Sequence, residues 1–189
     1  MQLNGVRTDG ASKGIDQGVQ GLEREMTFSL RDSVHLVSDP ANLDASVDEV
    51  FRLMLGVSCA RQTRPLPSAA PDRESVTAVV GFGGHLSGAC VFRCSAQAAM
   101  SIAGHMTGME FHEIDDTVKD GMGEICNMLA GAWKGKVPDL AAKCGLSVPA
   151  VITGRDYNLH VQSPEFQLHH SYSFENASFD VTIVCDSLQ

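Results

Sequence analysis

The chain has 189 residues, 43% of them hydrophobic, with 23 acidic and 14 basic side chains and a formal net charge of −9. That length suits one globular domain plus some extra chain, and a body of about 150 residues buries roughly 70% of its unfolded surface without needing a metal or a disulfide. The acidic balance argues against nucleic acid and anionic membrane as main partners, because both require a basic face, and no apolar run reaches the roughly 18 residues of a membrane span.

Residues 1 to about 25 (MQLNGVRTDGASKGIDQGVQGLERE) are polar and glycine-rich, with no apolar core of a secretory signal. This composition predicts a mobile extension over 1–40 and a cytoplasmic protein. Within it, MTFSLRDSVHLV alternates weakly and predicts an added strand. The compact domain is expected over 41–189. Near its start Asn42 or Asp44 is placed to cap a helix whose apolar residues Val47, Val50, Phe51, Met54 and Leu55 repeat at helical spacing, with Gly56 as its stop. RQTRPLPSAAPDRES has three prolines and no periodicity, which predicts a loop. SVTAVVGFGGHLSGACVFRC, two Val- and Phe-rich runs around a glycine turn, predicts a hairpin. Ser95 then caps a second helix, AQAAMSIAGHMTG, ending at Gly104 or Gly108. A third runs from about Ile114 to Lys134, and a short fourth from Pro138 to Gly145. SVPAVITGRDYNLHV and EFQLHHSYSFENASFDVTIVCDSL supply three more strands, the last two joined at ENAS. Helices on one face of a mostly antiparallel sheet make this an α+β fold of two layers.

Several side-chain groups invite chemistry and are better read as structure. The six cysteines (Cys59, Cys90, Cys94, Cys126, Cys144, Cys185) contain no C-x-x-C pair. Cys90 and Cys94 share a strand face but lie roughly 13 Å apart, too far for a disulfide, so reduced thiols are expected. GFGGH lacks the Lys-Ser/Thr of a phosphate loop and precedes a strand, which makes it a hairpin turn. His169 and His170 are adjacent strand residues on opposite faces and do not share one ion, so no metal site is expected. Trp133 falls on a buried helix stripe.

The third helix carries an unusual surface. With roughly 100° per residue, Val118, Met122, Ile125, Cys126, Leu129, Ala132 and Trp133 fall within about 120° and form the buried stripe. The opposite side carries Asp116, Asp120, Glu124, Asn127 and Gly131, flanked by Gly123 and Ala130. Glu124 and Asn127, at i and i+3, have side chains about 5–6 Å apart. Interior glycines each cost a helix roughly 0.8–1 kcal/mol against alanine, so something favours their bareness. Either another macromolecule docks closely here, or the glycines ease packing between helices of this same chain.

Asp120, Glu124 and Asn127 in D-x-x-x-E-x-x-N, with Pro149 some way downstream, resemble the active-site signature of the CheC/CheX/FliY chemotaxis phosphatases. ASVDEVFRLMLGV is similar to the first helix of that family, VVGFGGHLSGACVF to its glycine hairpin and GEICNMLAGAWKG to its catalytic helix, closest to the CheX branch. The likeness covers about 41–188. Pro149 stands about one residue earlier than the family spacing. Two-site members repeat E-x-x-N in the first helix, where this chain reads Glu49-Val50-Phe51-Arg52, so one site is implied.

The resemblance implies a CheC-like two-layer fold and an enzyme that hydrolyses the phospho-aspartate of a CheY-like response-regulator receiver domain. It implies that Asn127 holds the attacking water, that Glu124 docks onto the receiver's lysine, and that Asp120 supports them. Gly123, Ala130 and Gly131 would let the receiver's loops settle against the helix. Mg²⁺ is expected on the receiver, with no cofactor bound by this chain. Phe174, Phe179 and the strand VTIVC suggest a sheet edge for pairing with a second copy, as CheX-like proteins pair; an ordinary covered edge is the alternative. A non-catalytic module binding a receiver or a flagellar-switch component is the rival function.

Overall fold

The computed structural model describes residues 34–63, 74–155, 157, 159–160 and 164–189. The expected mobile extension lies, up to residue 33, outside them. Its final residues correct the expected strand: α1 (Val34–Val37) is one helical turn. The apolar pair that matters there is Val34 and Val37, which pack on the core three residues apart, while Leu36 is 49% exposed. Burial at i and i+3 selects a helix over an alternating strand.

Helix α2 (Pro40–Leu55) is capped by Asp39, whose carboxylate accepts from the Ala41 N–H, and not by Asn42 or Asp44. Pro40 occupies a first-turn position where no N–H is needed. Gly56 ends the helix in the left-handed region at φ 69°, donating to the Phe51 carbonyl. Leu43, Val47, Val50, Phe51 and Leu55 are buried, whereas Met54 is 37% exposed. Phe51 stacks on Phe179 with ring centres 4.5 Å apart.

The sheet consists of β1 (Ala60–Arg61), β2 (Ser75–Gly84), β3 (Leu86–Ser95), β4 (Cys144–Leu146), β5 (Ala150–Gly154), β6 (Phe166–Phe174) and β7 (Ala177–Leu188). Every described pairing is antiparallel, in the order β1-β6-β7-β3-β2-β4, with β5 also on β2. The expected β2–β3 hairpin is present. Its turn needs a glycine at Gly84 (φ 115°), where a Cβ would stand 2.3 Å from the Lys143 carbonyl oxygen. Alternate residues Val76, Ala78, Val80 and Phe82 face the helices and are buried. The expected pairing edge at VTIVC is corrected. β7 lies inside the sheet, bonded to β3 on one side and β6 on the other, with Phe174 and Phe179 in the core. The short helix after Pro138 stops at Lys143 as α5, and its last predicted residues instead form β4.

Helices α3 (Ala96–Thr107) and α4 (Asp116–Gly135) complete the layer on the sheet. Ser95 caps α3 by accepting from Ala98 N–H, and Gly108 closes it. The α4 face that carries Val118, Met122, Ile125, Cys126, Leu129 and Trp133 is fully buried. The Cys126 thiol donates to the carbonyls of Ala78 and Cys90, so this helix lies directly over the hairpin.

The glycines of α4 divide between the two readings. At Gly123 a Cβ would stand 3.2 Å from Pro149 Cβ and 3.6 Å from Val151 Cγ2. At Gly121 it would meet Met106 Sδ at 3.5 Å and Ala103 Cβ at 3.8 Å on α3. At Gly123 the chain's own Pro149 approaches closely enough to favour a bare position, while at Gly121 a Cβ would meet α3 at ordinary contact distance. Gly131 has only Leu146 Cδ1, at 3.9 Å, near its missing side chain. The expectation that Gly123 and Ala130 receive another protein is therefore corrected: both are buried beneath this chain.

The strap that covers Gly123 is built at the β2 edge. β4 pairs with Phe82–Gly84 and β5 with Ser75–Val79, and the chain leaves the ladder between them. Ser147 bridges the gap: its N–H donates to the Gly81 carbonyl at 2.9 Å, and its hydroxyl accepts from the Gly81 N–H at 2.8 Å.

A polar clamp joins the other edge to α2. Asp44 accepts from the Tyr172 hydroxyl at 2.7 Å and from Arg61 at 2.9 Å. Arg61 also lies 3.0 Å from His170 Nε2. A guanidinium only donates, so Nε2 is the acceptor and Nδ1 carries the proton, 3.1 Å from Asp44. Burial, then the Arg61 charge, lower the His170 pKa from 6.5, against the opposite pull of Asp44; His169 adds a smaller lowering. The unfolded chain thus takes up the proton first, so this contribution to stability is full above about pH 6.5 and declines as pH falls toward the lower native value.

The wild type is expected to lose more stability between about pH 7.5 and 5.5 than His170→Gln, measured by urea denaturation at each pH. Gly131→Ala is expected to stabilise by up to about 1 kcal/mol, whereas Gly123→Val is expected to destabilise by about 1–3 kcal/mol through its collision with Pro149. The same denaturation curves measure both.

Candidate functional site

The flank of α4 that faces away from the core presents Asp120 and Glu124, both exposed, and Asn127, half-buried. The helix is started by Asp115, whose carboxylate accepts from the Val118 N–H at 2.9 Å, which fixes the phase of everything after it. Asp120 and Glu124 are i and i+4, and Glu124 and Asn127 i and i+3, so the three side chains leave one surface with successive neighbours about 5–6 Å apart. This flank lies between α3, which packs at Gly121, and the Ser147–Val151 segment, which packs at Gly123.

Hydrogen bonding distinguishes these residues from the rest of the helix. Asp116 pairs with Lys119 at 2.9 Å, and Lys134 donates to the carbonyls of Ala141 and Cys144. Among the described residues, Asp120 and Glu124 are the charged side chains of α4 left without a hydrogen bond or ion pair, and Asn127 likewise has no side-chain hydrogen bond. An amide and two carboxylates with open bonding capacity, on a helix fixed against a sheet, can engage groups on another molecule without first breaking contacts of their own. Gly131 stays half-buried one turn beyond Asn127, a position where an approaching surface meets no side chain.

The equivalent positions on α2 are differently used. Glu49 is ion-paired with Lys136, just past the end of α4, and Arg52 with Asp48 at 3.0 Å. Neither presents an open acid–amide pair.

The remaining candidates fall into the fold. His169 is exposed and bonded to Thr182, while His170 is buried in the clamp, on the opposite face. Among the described residues no group of three His, Cys, Asp or Glu is arranged to hold a metal ion. All six cysteines are free, and burial pushes the half-buried Cys59 thiol up to about 12, with Asp48 adding to it. Trp133 is in the core against Phe82. Among the described residues no helix is long and apolar enough to cross a membrane. A groove of about 510 Å³ runs along the outer side of α3 between Gln97 and His112, and none of Asp120, Glu124 or Asn127 lines it.

Sequence reasoning missed the neighbour of Gly123. A bare helix position and a proline in a short interstrand segment are each legible, but nothing in a linear sequence pairs Gly123 with Pro149. It missed also that Val148, beside this proline, is 86% exposed.

Residues 76–171, just over half of the chain, match the family model described as Chemotaxis phosphatase CheX. The match encloses Asp120, Glu124, Asn127 and Pro149. A curated relative, the CheY-P phosphatase CheX of Thermotoga maritima, is 28% identical over 118 residues, covering 62% of this chain and 76% of its own. The chemotaxis protein CheX of Vibrio vulnificus superposes with a TM-score of 0.65 at 20% identity, covering 77% of this chain and 95% of that one. A CheX–CheY–BeF3–Mg²⁺ complex from Borrelia burgdorferi superposes with a TM-score of 0.63 at 18% identity, covering 78% and 97%. The two structural likenesses establish the shared α+β architecture, and the family match establishes descent: this chain belongs to the CheX family of chemotaxis phosphatases.

Proposed function

We propose that this chain hydrolyses the phospho-aspartate of a CheY-like receiver domain in the cytoplasm, with Glu124 and Asn127 as its working pair. The observation that carries the proposal is that the family match encloses an acid and an amide, one turn apart, whose side chains have no hydrogen-bond partner among the described residues. The relative from Thermotoga maritima is named a CheY-P phosphatase, and the Borrelia burgdorferi structure is a complex of CheX with CheY, BeF3 and Mg²⁺.

Phosphoryl transfer asks the catalyst mainly for positioning and charge stabilisation, with the attacking water in line with the leaving oxygen. A carboxylate aimed at an anionic phosphoryl group is repelled by it. The carboxamide of Asn127 has no net charge, and its oxygen accepts from the water while its NH₂ donates elsewhere. Glu124, on the same surface, pairs with a receiver lysine and fixes where the amide lands. That pair strengthens as water leaves the interface. Asp120 supports the approach from one turn away, and Gly131 leaves room for the receiver's loops. Mg²⁺ belongs to the receiver in this scheme. Self-association of this chain through strands has the β1–β6 and β4–β5 edges to use, because β7 is bonded on both sides.

Phosphorylated receivers from the same genome, incubated with the chain, are expected to lose phosphate faster. Asn127→Ala is expected to lower turnover on the order of a hundredfold, and Glu124→Ala to raise KM. An unchanged rate with Asn127→Ala removes that residue from the mechanism. Tight binding of the receiver without any acceleration supports the rival binding module.

A further inference from the structure

The segment between β4 and β5 forms a second wall beside the Glu124–Asn127 flank, and we infer that Val148 is the apolar anchor by which this wall grips the receiver domain. This inference rests on the phosphatase reading and adds to it the contact that selects the substrate.

Three observations carry it. The first is exposure: Val148 is 86% exposed, while Pro149 and Ala150 beside it are also at the surface. Isolated exposed apolar residues need no explanation, but this one belongs to a continuous run. The second is place. Leu146 lies against Gly131, and Pro149 lies against Gly123, so Ser147 and Val148 pass the helix between those two levels. Asn127 is midway between them in the helix. A surface that covers Glu124 and Asn127 therefore reaches this run without a gap. The third is rigidity. The Ser147 hydroxyl accepts from the Gly81 N–H at 2.8 Å and donates to the Val148 carbonyl at 2.9 Å. The Ser147 N–H holds the Gly81 carbonyl at 2.9 Å. Pro149 follows, with its φ fixed by the ring and its own face seated on the helix. Val148 is thus held outward from both sides, and little conformational freedom remains to be lost on binding.

The chemistry of the two walls is complementary in purpose. The acidic flank recognises charge that every receiver active site shares. An apolar contact placed at its side discriminates among receivers by the shape of what lies beside their phosphorylation site. The partner is accordingly a receiver with an apolar spot flanking its acyl phosphate.

The test compares wild type, Val148→Ser and Asn127→Ala on one CheY-like receiver that the wild type binds in its beryllofluoride–Mg²⁺ form. Steady-state rates give kcat and KM, and titration with the same receiver loaded with beryllofluoride and Mg²⁺ gives Kd. Val148→Ser is expected to raise KM and Kd about tenfold, as loss of one buried aliphatic contact does, with kcat within about twofold of wild type. Asn127→Ala is expected to do the reverse. Wild-type KM and Kd in Val148→Ser overturn the inference while the phosphatase reading stands. A wild type that binds the beryllofluoride form but does not accelerate hydrolysis overturns the phosphatase reading, and the Kd comparison still decides the role of Val148. A Val148→Ser variant that changes sedimentation of the chain alone, and not its Kd for the receiver, assigns Val148 to self-association and overturns the inference.

Discussion

A methyl group at Gly123 would stand 3.2 Å from Pro149 Cβ, a tight fit that asks the neighbour to give by a few tenths of an ångström, and the arrangement of the candidate site follows from that contact. The helix is held from below by its buried stripe on β2 and β3, and from the side by the segment that joins β4 to β5. Side chains at either position larger than those present would push the two apart. Close packing transmits such a displacement, because interiors lack the free volume to absorb it. The helix would then present Glu124 and Asn127 at a different height above the sheet.

The same contact explains why the flank is both polar and stiff. A helix surface that must remain open to another molecule normally gains mobility from being unsupported. Here support comes through glycines, at Gly121 from α3 and at Gly123 from Pro149, so neighbouring elements brace the backbone without covering the polar side chains next to it. Functional groups held on a regular element with fixed surroundings keep their geometry better than groups on a loop. Asp116 and Lys119 pair with each other and Lys134 donates to backbone carbonyls, which leaves Asp120 and Glu124 as the charged α4 side chains without a hydrogen bond or ion pair among the described residues.

The far edge of the sheet uses the opposite strategy. Asp44, Arg61, His170 and Tyr172 satisfy one another in a clamp that joins α2, β1 and β6. A buried histidine with an arginine at one nitrogen and a carboxylate at the other is a structural tie. It lies outside the α4 flank and contributes no open bonding group to it.

Much of this was legible in the sequence. The 3.6-residue spacing placed Asp120, Glu124 and Asn127 on one flank because a helix fixes angular position from sequence alone. Ser95 announced a helix start, Gly56 a helix end and the glycine turn a hairpin, since each depends on local backbone energetics. Other features depended on residues distant in the chain. Whether Gly123 was bare for a visitor or for Pro149, whether β7 was an edge or an interior strand, and whether Asp39 or Asn42 capped α2 were all matters of which surfaces met. Local propensities specify elements and their faces. The neighbours of those faces are chosen by the burial of apolar area over the whole chain, and that choice is made only when the sheet and its helices come together.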